Sequence, residues 1–194
     1  MSKLTRRLAF LSLVALLGTS LSASADKKFL GSDDAKEKDE AQTFLKDYDK
    51  LVKGSEADWV YFAPGADLKK YKTVALPAWT TTGGKPSKAK AAAESGPGYA
   101  EEWIKQSKKL GWDVGKGGAD LTIEGNIFNA WEPSGGARFW GGWMAAPGAG
   151  LELIGKDKSG AIVFEVRHKS KGSTIEDAVE NGLENIVKTL EKGK

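Results

Sequence analysis

The residues equipped for chemistry are few. The chain has one histidine, His168, and no cysteine, so a His/Cys zinc set cannot form. A lone histidine closing a strand on its buried parity reads as a packed or capping side chain. A Ser-His-Asp arrangement is formally possible, but no nucleophile-elbow motif accompanies it. Asp120, Glu124, Glu152 and Glu165 fall on the polar parity of neighbouring strands and could converge as a carboxylate cluster. Lys156, Arg167 and Lys169 share that surface, so cross-strand ion pairing is the stronger explanation. The chain is therefore read as non-enzymatic, with no cofactor and no metal.

The least generic stretch is Ser134 to Gly150, which holds two of the seven tryptophans and no charge between Arg138 and Glu152. It makes a poor phosphate cradle, because no Gly-Lys-Ser/Thr follows and the next element is a strand. Three readings stay open. Arg138, Phe139, Trp140, Trp143 and Met144 have the composition of an interface core, which suits a partner-binding edge. Trp131, Trp140 and Trp143 offer flat apolar faces to a glycan such as peptidoglycan. The glycines also permit a close crossing or bulge, with Phe139 and Trp140 tucked into the core.

The elements that must position these residues follow from periodicity. Phe44, Tyr48 and Leu51 mark a short segment docked on the domain. Trp59 to Ala63 alternates as a strand closed by Pro64-Gly65. Asp67 caps one turn, Thr73 to Leu76 is a buried strand, and Thr80 to Gly98 reads as a long irregular connection with at most a marginal surface helix. A helix is expected from about Tyr99 to Leu110, stopped by Gly111. Trp112 to Val114 begins another extended piece.

Leu121, Ile123, Ile127 and Trp131 share one parity, and Asp120, Thr122, Glu124 and Asn126 the other, which predicts a strand with one buried and one wet face. A strand from Leu151, a hairpin at Asp157-Lys158-Ser159-Gly160 and a strand over Ala161 to Lys169 follow, with Ile162, Phe164 and Val166 facing one way. The last helix runs from Thr174 to about Lys192, with Ser173 and Glu176 at capping-box spacing. Ile175, Ala178, Val179, Leu183, Ile186, Val187 and Leu190 form its apolar stripe. The order predicts an α+β single domain: a mixed β-sheet of about five strands with two main helices packed on one face.

Residues 1–25 have the form of a cleaved signal peptide. Lys3, Arg6 and Arg7 form a basic n-region, Leu8 to Leu17 an apolar core, and Ala23-Ser24-Ala25 a cleavage site. That core is too short to span a bilayer. The mature chain is expected to be periplasmic or secreted, soluble after cleavage near Ala25, and without a lipidated cysteine. Three of the 29 basic residues belong to the n-region, leaving 26 against 26 acids, so no net positive field draws nucleic acid. Residues 26–42 read as a mobile charged lead-in, and 43–194 as the one domain.

Two sets of short motifs carry a family resemblance. Phe44-Leu45-x-Asp47-Tyr48-x-x-Leu51 with Val60-Tyr61-x-x-Pro64-Gly65-Ala66-Asp67-Leu68-x-x-Tyr71 resembles exported bacterial proteins of unknown function, many of them lipoproteins. Ala119-Asp120-Leu121-x-Ile123-x-Gly125, Gly136-Ala137-Arg138-Phe139-x-x-Gly142 and Gly148-Ala149-Gly150 are similar to a related uncharacterised exported family. The resemblance implies a small α/β domain like the TolB N-terminal and curli-secretion lipoprotein domains, working through protein contacts in the envelope. The expected partner is another envelope protein or peptidoglycan.

Overall fold

Eight strands form one mixed sheet in a computed structural model that describes residues 42–84, 86–115, 118–133 and 146–193. In chain order they are β1 (Val52–Lys53), β2 (Trp59–Phe62), β3 (Thr73–Ala75), β4 (Thr80–Thr81), β5 (Asp113–Val114), β6 (Leu121–Trp131), β7 (Gly148–Asp157) and β8 (Ile162–Lys171). The spatial order is β1-β2-β8-β7-β6-β3-β5, with β4 also pairing β6. The half from β1 to β6 is antiparallel, while β3, β4 and β5 are parallel additions. Helix α1 (Pro86–Gln106) makes the crossover that parallel pairing requires. Helix α2 (Ile175–Lys192) closes the chain.

This is the α+β single domain expected, with both helices on one sheet face. The strand number exceeds the expected five because β1 and β4 are two-residue pairings too short to leave a periodic signal, and the extended piece expected from Trp112 to Val114 joins the sheet as the two-residue β5. The expected signal peptide and the expected lead-in through Ala41 lie outside the described residues.

Helix α1 departs most from expectation. It begins at Pro86 rather than Tyr99, and Gly96-Pro97-Gly98 lies inside it rather than in a loop. Its buried face is mainly alanine, with Ala89, Ala92, Ala93, Ala100 and Ile104, a face too small to show in a hydrophobic pattern. The proline forfeits a helix hydrogen bond. Next to it, the ring of Trp79 lies where side chains at Gly96 of α1 and Gly125 of β6 would stand. Gly96→Val is expected to cost about 1–3 kcal/mol by overpacking, seen as a lower midpoint in thermal unfolding.

Helix α2 keeps its predicted stripe, and Ile175, Ala178, Val179, Leu183, Ile186, Val187 and Leu190 are all buried. Its cap is shifted by one residue. Thr174 accepts from the Asp177 backbone N–H at 3.1 Å, in place of the Ser173 and Glu176 pairing. Gly193 at φ +64° ends the helix in the left-handed conformation.

Two bulges break the simple alternation. One between Ile127 and Asn129 in β6 buries Phe128 as well as Ile127. Another at Gly155/Lys156 sends Val163 to the main core and Ile162 to the opposite face, so Ile162 does not share the side of Phe164 and Val166. Strand β7 also starts at Gly148 rather than Leu151, taking Gly148-Ala149-Gly150 into the sheet.

The face predicted to be wet is largely covered. Asn126, Glu152, Glu165 and Arg167 are all essentially buried. Residues 44–51 lie across them as a strap, in which Leu45 and Leu51 form with Ile154 a second small core, joined by Phe44, Tyr48, Trp59, Tyr61 and Ile162.

Candidate functional site

Three places hold the residues that sequence reasoning singled out. The first is the end of the β6–β7 pair. These strands stay in register to Trp131↔Gly148, and the half-buried Trp131 lays its ring over Gly148, where no side chain could fit beneath it. Phe128 does the same over Gly150. Arg138, Phe139, Trp140, Trp143 and Met144 lie outside the described residues, so Trp131 is the one predicted binding residue that the structure places.

The second is the polar centre of the covered face, where the carboxylates pair rather than cluster. Glu152 accepts hydrogen bonds from the Arg167 guanidinium, from Tyr48 Oη at 2.8 Å and from Asn126 Nδ2 at 2.9 Å. Asn126 also donates to Thr82 Oγ1 at 2.8 Å, and Thr80 Oγ1 donates to Asn126 Oδ1 at 3.1 Å. Arg167 is stacked 3.8 Å from the Phe128 ring centroid, with the Tyr48 ring at 5.4 Å. Glu165 accepts the Lys46 backbone N–H at 2.6 Å. Towards the far rim, Glu124 pairs with Lys156 at 2.6 Å and Asp120 with Lys158 at 2.8 Å.

This centre holds a balanced ion pair rather than a poised acid and base. Burial pushes the Glu152 carboxyl upward, against the opposing pull of Arg167, Asn126 and Tyr48. Tyr48 is pushed up to about 12, first by burial and then by the Glu152 charge. Asp120 is held at about 2 by Lys158 and by the Lys72 and Thr73 backbone N–H groups. Sequence reasoning placed Tyr48 in a docked segment but missed its bond to Glu152, and it missed Thr80, Thr82 and the burial of Asn126. Only Asn126 left a signal, as an amide on the polar parity shared with the strand carboxylates.

The raised Tyr48 hydroxyl has a measurable consequence. Between pH 10, its ordinary value, and about 12, the fold retains a proton that the unfolded chain has released, so stability falls as pH rises through that window. Alkaline unfolding followed by tyrosinate absorbance is expected to lose this component in Tyr48→Phe.

The third place is His168, buried on the helix side of β8. Its Nδ1 lies 3.0 Å from Asp58 Oδ2 and 3.2 Å from the Asp58 backbone N, and its Nε2 lies 3.2 Å from Asn185 Nδ2. The same turn is tied to α2 through Thr189 Oγ1, which accepts the Ala57 N–H at 2.8 Å. His168 is a bracket between β2 and α2, the packed role expected of it. No group of three or more His, Asp or Glu side chains among the described residues is arranged to hold a metal.

No known family model matches the chain, and no curated protein matches it. Solved structures do resemble it. The PelC dodecamer from Paraburkholderia phytofirmans, in space group P6, is similar at 16% identity and a TM-score of 0.45, over 65% of this chain and 96% of that one. A variant PelC dodecamer from the same organism, in space group C2, is similar at 15% identity and a TM-score of 0.46, over 68% and 92%. These are partial likenesses of backbone arrangement at low identity. The exported-family resemblance rests on its short motifs.

Proposed function

We propose that this chain is a non-enzymatic protein of the bacterial envelope, exported on residues 1–25, that acts as a protein-binding or assembly module through Arg138, Phe139, Trp140, Trp143 and Met144. The observation that supports it is the β6–β7 stem. Because Trp131 pairs with Gly148, residues 132–147 leave and rejoin the sheet side by side at its two central strands. A segment joined to rigid strands at both ends is well suited to present contact residues, and its tryptophans, methionine and arginine are the types that dominate interface energetics. The only large hydrophobic exposed among the described residues is Val52, at 61%.

A photo-crosslinking residue at position 140 or 143 in intact cells is expected to trap a specific protein adduct. Absence of any specific adduct from both positions overturns the reading. The half-buried indole of Trp131 favours a second reading, a glycan binder using Trp131, Trp140 and Trp143. That reading alone predicts co-sedimentation of the purified protein with peptidoglycan.

A further inference from the structure

The strap over the outer sheet face is built as a separable unit. Its apolar side chains, Leu45 and Leu51, meet Ile154 in a cluster distinct from the main core between sheet and helices. Its shape is held largely by its own bonds. Tyr48 Oη accepts the Phe44 and Leu45 backbone N–H groups at 3.2 Å each, Asp47 Oδ1 accepts the Asp49 N–H at 3.0 Å, and Lys50 pairs with Asp47 at 3.0 Å. Its contacts to the sheet include hydrogen bonds from the Lys46 N–H to Glu165 and from Tyr48 Oη to Glu152, and the Tyr48 ring beside Arg167.

The seat's central carboxylate does not depend on the strap alone, because Glu152 also accepts from Arg167 and Asn126, both of them strand residues. Trp59 Nε1, in the strap's own cluster, is buried with no hydrogen-bond partner among the described residues. The chain also leaves the strap directly into β1, the two-residue strand at the sheet edge. The strap therefore peels from a rim, and no strand has to be unthreaded.

We infer that residues 44–51 are an exchangeable arm, and that the outer-face seat formed by Ile154, Ile162, Trp59, Glu152 and Glu165 accepts the same segment from a second copy of this chain. The occupant follows from the seat itself. The arm already in place shows which sequence fits, and every second copy carries that sequence. Reciprocal exchange remakes identical contacts, the low-cost route to a dimer. Tethering in cis gives the chain's own arm an effective concentration of about a millimolar, so exchange grows as protein concentration approaches that level. The interface uses none of the residues 138–144, so it stands or fails independently of the binding role proposed above.

The test uses the full mature chain with a photo-crosslinking phenylalanine at position 44, where the native phenylalanine packs against the cluster that includes Ile154 of the seat. Equal parts of unlabelled and 15N-labelled protein are mixed at about 1 mM, the effective concentration of a short tether, then irradiated and digested. Adducts joining the position-44 peptide to the β7–β8 peptides are expected to include mixed-isotope pairs, and dilution by about a hundredfold should abolish them. In a second arm, a Leu45→Asp copy supplies a seat whose own arm no longer fits. Mixed pairs with the probe-bearing chain should then form at lower concentration. Failure to find mixed pairs in the wild-type mixture overturns the inference, whether adducts are all single-isotope or do not form. So does a folded Leu45→Asp copy that captures no arm.

Discussion

Arg167→Met is expected to lower unfolding free energy by about 3–5 kcal/mol at neutral pH, the cost of leaving one member of a buried ion pair unpaired. The pair is deep, with side-chain exposures of 2% for Arg167 and 0% for Glu152. Methionine retains much of the stacking volume over Phe128 but no charge. The Glu152 carboxylate would then keep only Asn126 and Tyr48 to offset its desolvation. Burial already raises its pKa above 4.5, and losing the guanidinium raises it further. A carboxyl with a raised folded-state pKa binds its proton more tightly in the fold than in the unfolded chain. Stability therefore falls as pH rises from the unfolded value through the folded one. The deficit of Arg167→Met should shrink as pH is lowered towards 4.5, where ordinary surface carboxylates predict no such recovery. Urea titrations at neutral and mildly acidic pH measure both quantities. The Glu152→Met, Arg167→Met double variant should recover most of the loss, because well-packed apolar replacements of buried pairs are often neutral. A double variant as weak as the single one would show that the pair does more than satisfy its own charges.

Ile186→Asp is expected to abolish soluble expression. Ile186 is fully buried on α2, among Val179, Leu183, Val187 and Leu190, against the sheet face that carries the main core. A carboxyl there is surrounded by apolar side chains, and whether it stays charged or takes up a proton it is a buried polar group without a hydrogen-bond partner, in place of the isoleucine's contacts. Ile186→Ala is the measurable companion. It should fold but lose about 2–5 kcal/mol through the cavity it leaves, read as a drop in thermal midpoint. An unchanged midpoint would rule out the packing described for α2.

Much of this fold is legible in the sequence, and the rest is hidden for identifiable reasons. Helix α2 is plain because its large aliphatics recur on one face. Strand β6 shows through its alternation as far as Ile127, after which the bulge puts Ala130 rather than Trp131 in the main core; β8 shows through its alternation, and the Asp157 to Gly160 hairpin through its turn residues. Helix α1 is obscured because its buried face is alanine and its glycines and proline mimic a loop. Of these, Gly96 is explained by Trp79, which comes from outside the helix. The covered outer face is hidden for a similar reason, since alternation reports which residues share a side and not what lies over them. Tyr48 and Glu152 are 104 residues apart, and no local pattern announces their bond. Of the candidate binding residues, Trp131 is placed, and its seat on Gly148 depends on a cross-strand pairing that sequence spacing did not supply.

The aromatic rings laid over glycines act as a key for strand alignment. Three glycines of the central strand β7, Gly148, Gly150 and Gly155, lie under Trp131, Phe128 and Phe164 from the two flanking strands. Slipping β7 by one residue would bring Ala149, Leu151 or Lys156 beneath those rings and turn the strand's buried set outward. Glycine weakens a strand considered alone, so β7 has little tendency to order before its neighbours arrive. When they do, only one alignment lets all three rings lie flat, and the least self-sufficient strand becomes the one that fixes how the sheet is assembled.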